Sequence, residues 1–217
     1  MRKGIAISAT ALAALGVTAA PTNANASRTV PPPEKVTITV GSVIGSGCPT
    51  GTTAFVVSPD REAFTVAYSA YTAQAGGNSQ PTDGRKNCQI ALSVHVPQGF
   101  TYAIASTDHR GYASLQPGAV ASQLASYYFQ GLPKTTYVEH PIPTGLYGNW
   151  QFTDAVEIPQ LVYKPCGVER YFNINTELRV AVGTSDASKV SFVAMDSTDG
   201  DLRTTYHFSW KTCPKTK

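Results

Sequence analysis

The sequence predicts an all-β protein, a two-sheet antiparallel sandwich tied by two disulfides, and three observations carry that expectation. Apolar and polar residues alternate in stretch after stretch, as strands buried on one face require. Short clusters of Gly, Pro, Asn and Asp punctuate those stretches as turns do. Beyond an N-terminal leader, no window longer than a turn or two carries the 3.6-residue period of a helix. A partly closed barrel is the alternative arrangement of the same strands.

The leader is read from Arg2 and Lys3, an apolar run from Ile5 to about Ala20, Pro21, and the small residues Ala24-Asn25-Ala26. This is the layout of a secretory signal peptide, with cleavage expected after Ala26. The run is too short and too rich in Ala and Gly for a membrane span, and no second apolar segment of spanning length follows. Residues 27–35 form a stiff, exposed lead-in around Pro31-Pro32-Pro33, and 36–217 are expected to form one β-sandwich domain. Only 14% of the residues are charged, below the ~25% of ordinary domains. The formal net charge is +3, and two of those positive charges sit in the leader. Without clustered Lys and Arg, neither nucleic acid nor anionic lipid is an expected partner.

The strands follow in order. Val36, Ile38 and Val40 alternate with Thr37 and Thr39, and the Gly45–Thr52 turn precedes Ala54 to Val57. That Gly-rich turn lacks the Lys-Ser/Thr of a phosphate cradle. Phe64, Val66 and Tyr68 mark a third strand, which ends in a long loop over 76–84. Ile90, Leu92, Val94 and Val96 mark the strand that organises the chain, with Cys88 just upstream and Pro97 to Gly99 as its stop. Phe100, Tyr102 and Ile104 alternate through Ser106, after which Asp108-His109-Arg110 reads as a polar turn. Ala113 to Leu115 is a short segment, and Ser122 to Phe129 a strand with Tyr127 and Tyr128 on opposite faces. Residues 131–148, with Pro133, Pro141, Pro143, Gly145 and Gly148, read as a crossing loop.

Trp150 and Phe152 open a short strand, and Ala155 to Ile158 and Leu161 to Tyr163 are further candidates. Tyr171 to Val182 gives the cleanest alternation, with Phe172, Ile174, Leu178, Val180 and Val182 inward and Asn173, Asn175, Glu177 and Arg179 outward. Val190 to Met195 and Thr204 to Trp210 are expected to pair as a hairpin.

Cys48, Cys88, Cys166 and Cys213 form an even set in an exported chain, for which three pairings exist. Cys48 with Cys88 and Cys166 with Cys213 is the favoured one, because each bridge then closes a loop within its own half. A metal site on these cysteines is disfavoured by the absence of Cys-x-x-Cys and of histidine at ligand spacing. Asp196, Asp199 and Asp201 offer hard oxygen donors of the kind calcium takes. The Asp-Gly turn chemistry of a hairpin explains the same residues, so no cofactor is expected and calcium is the only candidate.

No catalytic pattern emerges. The histidines, at 95, 109, 140 and 207, form no His-Glu-x-x-His pair, and no Gly-x-Ser-x-Gly elbow occurs. His109 is the candidate acid or base, or a surface contact. Tyr127 and Tyr128 are candidate surface contacts, since eleven tyrosines and two tryptophans could furnish stacking surface.

Several strings resemble the secreted family catalogued as domain of unknown function 4360. They are Gly-Ser-Gly-Cys-Pro-Thr-Gly-Thr at 45–52, Arg-Lys-Asn-Cys-Gln-Ile at 85–90, Val-Pro-Gln-Gly at 96–99, Arg-Gly-Tyr-Ala-Ser-Leu at 110–115 and Tyr-Tyr-Phe-Gln-Gly at 127–131. Pro-Cys-Gly at 165–167, Asn-Ile-Asn-Thr at 173–176 and Asp-Ser-Thr-Asp-Gly at 196–200 continue the match. The resemblance implies export and cysteines at these places. It implies no activity, and an aromatic residue is common in that family where His109 stands here.

The functional expectation is therefore a secreted, non-enzymatic binding or surface-associated protein, its partner a cell-wall glycan or a secreted protein. The alternatives are a hydrolase with a loop-assembled site and a protease inhibitor presenting 131–148 as its rigid loop.

Overall fold

The computed structural model describes residues 30–132, 136–157, 160–195 and 203–214. The expected signal peptide and the candidate calcium ligands Asp196, Asp199 and Asp201 lie outside the described residues. Within them, two antiparallel sheets pack face to face and neither closes into a barrel. One has five strands in the order β1 (Thr37–Ile44), β5 (Arg85–His95), β10 (Tyr171–Ala181), β7 (Val120–Phe129) and β8 (Thr136–Ile142). The other has seven: β2 (Thr53–Val57), β3 (Ala63–Tyr68), β12 (Arg203–Thr212), β6 (Phe100–Ser114), β11 (Ser191–Ala194) and β4 (Thr72–Ala75), with β9 (Tyr147–Ala155) also paired to β6.

The core follows from the alternation. Ile90, Leu92 and Val94 of β5 and Phe172, Ile174, Leu178 and Val180 of β10 are buried on the inner face of the five-stranded sheet. Phe64 and Val66 of β3 and Tyr206, Phe208 and Trp210 of β12 come from the other sheet, with the Phe64 and Tyr206 rings stacked at 4.6 Å. Full burial of each such side chain contributes about 1.5–3 kcal/mol. Gly111 on β6 is required by packing: a Cβ there would lie 2.0 Å from the Trp150 ring and 2.2 Å from the Ala194 carbonyl oxygen.

Five local expectations are corrected. Asp108-His109-Arg110 is not a turn but the middle of the fifteen-residue strand β6. Within 131–148 the described residues are not a crossing loop throughout: they hold β8 and the start of β9, joined by a tight turn in which the Leu146 N–H bonds the Pro143 carbonyl. Pro141 is accommodated because β8 is the edge of its sheet, where a missing N–H is tolerated. β11 and β12 do not pair as a hairpin; each pairs with β6. Tyr163 lies outside any strand, in the connection whose Val156 and Lys164 N–H groups bond the carbonyls of Ala105 and Tyr102. The lead-in is also less exposed than its composition suggests, since Pro33 is buried and the Val30 N–H reaches the Trp210 carbonyl.

The edge strand β1 departs from regular pairing between Val40 and Ser42, leaving Gly41 as a bulge against β5. Cys48 bridges Cys88, fastening the β1–β2 connection to β5, and Cys166 bridges Cys213 at the end of β12. These are the pairings favoured from the sequence. They span 40 and 47 residues, for which chain entropy predicts about 4 kcal/mol each. Replacing Cys166 and Cys213 together by Ser is expected to lower the unfolding free energy by about 3–4 kcal/mol, measured by guanidinium titration at unchanged pH.

Candidate functional site

The outer face of the seven-stranded sheet carries an aromatic platform that the sequence reading missed. The strand pleat sends Tyr112 of β6, Tyr147 of β9 and Phe192 of β11 outward. In register, Ser114 of β6 lies between Tyr147 on one side and Phe192 on the other, while Tyr112 sits one same-face step along β6. The Tyr112 ring meets Tyr147 edge-on at 5.9 Å and stacks on Phe192 at 6.0 Å. A hydrogen bond with the Tyr147 hydroxyl pushes the Tyr112 hydroxyl above its ordinary range. Tyr147 is 80% exposed. Amide side chains flank the rings: Asn149 and Gln151 stand exposed on the same face of β9, and Gln74 of β4 pairs with Phe192. The signal for β9 was present in the alternation of Tyr147, Asn149 and Gln151 against Trp150 and Phe152. The prolines and glycines around it masked that pattern.

The candidates named from sequence lie elsewhere. Tyr128 is half-buried on the outer face of the five-stranded sheet, opposite Asn173. His109 is wholly buried between the sheets, not at the surface, and its Nε2 shares a 2.5 Å hydrogen bond with the Tyr127 hydroxyl. Tyr127 therefore also faces inward, packing against Phe172 and Tyr206. The edge strands complete this cluster. His140 of β8 donates through Nε2 to Asp154 Oδ1 of β9 at 2.8 Å, and its ring stacks on Phe152 at 4.5 Å. Asp154 Oδ2 lies 3.5 Å from His109 Nε2. The outward neighbour Asp108 turns the opposite way, accepting from His207 Nε2 at 2.8 Å and Thr153 Oγ1 at 2.6 Å.

The structure thus brings together His109 and Tyr127 with two residues the sequence had not joined to them, His140 and Asp154, and leaves Tyr128 apart. The His109 imidazole, fully buried, packs between the sheets and shares its hydrogen bond with Tyr127 there. Among the described residues no group of three or more His, Cys, Asp or Glu is placed to hold a metal ion.

The electrostatics of the cluster follow from burial. Desolvation drives the His109 imidazole below its ordinary 6.5, outweighing the raising effect of Asp154. For Asp154, burial pushes the carboxyl up, but the two imidazoles beside it prevail and hold it below the ordinary 3.8. Because the folded His109 resists a proton that the unfolded chain accepts, its contribution to stability is complete above about pH 6.5 and declines as pH falls below that value. The thermal midpoint is therefore expected to fall between pH 7.5 and pH 5, read by circular dichroism. His109→Gln should lower the midpoint at pH 7.5 and flatten that slope.

A relative from Arthroderma benhamiae, named only as an uncharacterized secreted protein, is 31% identical over 189 residues, covering 87% of this chain and 76% of its own length. Two disulfides, which persist in oxidising compartments, accord with that location, and the protein is secreted. The model of the family described as Domain of unknown function (DUF4360) matches residues 34–213, nearly all of the sandwich, and the chain belongs to that family.

Proposed function

We propose that the protein is a secreted, non-enzymatic binding protein that recognises cell-wall glycan through the Tyr112, Tyr147 and Phe192 platform. The observation that carries this reading is the exposure of Tyr147, 80% open to solvent and joined to two further rings on a rigid sheet. Core packing accounts for Tyr102, Tyr206, Phe208 and Trp210, which are buried. It does not account for a contiguous aromatic surface on the solvent face, and such surfaces on secreted domains mark contact sites.

The chemistry suits a sugar. The axial C–H face of a pyranose packs against an aromatic ring through dispersion and weak C–H contacts. The flanking amides of Asn149, Gln151 and Gln74 each offer a donor and an acceptor to ring hydroxyls. A neutral, hydroxyl-rich polymer needs no charged cluster, and only 14% of the chain is charged.

Pull-down of pure protein on insoluble cell wall, chitin and cellulose tests the reading. Retention on at least one of them is expected, with Tyr147→Ala weakening it about fivefold or more, in line with about 1 kcal/mol for one stacking ring. Tyr128→Ala, on the opposite sheet, should leave retention unchanged. Retention that survives Tyr147→Ala and Tyr112→Ala together would remove the platform from the function. Retention on secreted proteins but on no glycan would replace the glycan with a protein partner.

A further inference from the structure

Three tyrosine–tyrosine ring contacts occur among the described residues, and they differ in what can reach them. Tyr68 meets Tyr71 at 5.1 Å and Tyr127 meets Tyr206 at 5.9 Å, but both pairs lie in the core, where Tyr71 and Tyr206 are wholly buried. The third pair is at the surface. Tyr112 and Tyr147 stand 5.9 Å apart with their rings at 77° to each other, and Tyr147 is 80% exposed. Ser114 is the register partner of Tyr147, so Tyr112 is its diagonal neighbour on the same face of β6 and β9, within reach of a long aromatic side chain. The ladder thus holds two phenols together where a reagent or an enzyme can approach them.

A phenol that gives up one electron and its hydroxyl proton becomes a phenoxyl radical, whose unpaired electron is spread onto the ring carbons beside the oxygen. Two such radicals join through those carbons. One C–C bond forms, the hydrogen on each joined carbon passes to the phenolic oxygen of its ring, and both phenols are restored. The pair loses two protons and two electrons in all, which a haem peroxidase passes to one hydrogen peroxide to give two waters. Proximity favours coupling within the chain, because partners fixed side by side react as though at very high concentration. Tyr147, open over most of its surface, has room to turn its ring onto Tyr112. The large angle between the rings suits the product, a biphenyl kept twisted by the hydroxyls beside its central bond. A secreted protein also works in the oxidising setting in which its two disulfides persist.

We infer that Tyr112 and Tyr147 form an oxidative coupling site, at which an extracellular peroxidase and hydrogen peroxide join the two rings into a dityrosine bridge within one chain. The bridge ties β6 to β9 on the outer face of the seven-stranded sheet, where neither disulfide acts. The inference does not rest on the glycan reading, because coupling is read in solution with no glycan present.

The test is treatment of the pure protein with a haem peroxidase and limiting hydrogen peroxide, followed by dityrosine fluorescence, intact mass and peptide mapping. A monomeric product lighter by two hydrogens is expected, with one joined peptide pair carrying Tyr112 and Tyr147, in a yield that holds when the protein is diluted about tenfold. Tyr112→Phe and Tyr147→Phe each remove one phenol and keep the ring, and each should cut that yield about tenfold or more. Tyr171→Phe, which removes a 43% exposed phenol on the other sheet, should leave it unchanged. The inference fails if dityrosine appears only in cross-linked dimers, if the joined peptides lack either residue, or if Tyr147→Phe couples like the wild type. Absence of any bridge under conditions that couple free tyrosine overturns it as well.

Discussion

The phase of side-chain alternation along β6 is the constraint on which both candidate sites depend. β6 pairs with β12 through its first half and with β9 and β11 through its second, so one strand sets the register of three others. The register slips once. Phe208 faces Ile104 while His207 faces Ser106, leaving Ala105 as an extra residue on β6. Before the slip, Tyr102 and Ile104 point into the sandwich; after it, Thr107, His109, Gly111 and Ala113 do. A strand without the bulge would turn Asp108 and Arg110 inward and bury two charges, at a cost no core would tolerate.

That slip also explains where the sequence misled. Alternation followed from Phe100 without a bulge reaches Asp108 and Arg110 on the core face, so the natural reading there is a turn. A bulge is a property of two strands in register, and β12 lies about a hundred residues along the chain, beyond any local window. The strands free of such irregularity were legible: Ile90 to Val94 and Phe172 to Val180 pair as their alternation indicates, and the cysteines bridge within each half as expected. β8 and the start of β9 were hidden for a different reason. Pro141 and Gly148 are turn residues by composition, and only their positions, Pro141 on a sheet edge and Gly148 at a strand start, make them compatible with pairing.

The candidate site was less legible than the fold. The sequence pointed to His109 and Tyr127 as polar and aromatic groups, and both prove internal, part of a four-residue cluster that spans the two sheets. His140 and Asp154 come from the two facing edge strands, so their hydrogen bond is a polar clasp across a seam that apolar packing alone would leave open. Tyr112, Tyr147 and Phe192, by contrast, come from three strands far apart in sequence. Their adjacency exists only in the ladder.

The two ends of the five-stranded sheet are protected in different ways. β1 carries a bulge at Gly41 and β8 carries Pro141, which has no N–H to offer. Either edge is thus a poor template for the strand of another molecule. At high local concentration neighbouring copies stand close together, the condition under which open sheets zip into fibres. With both edges of this sheet blunted, copies can crowd side by side without pairing through it.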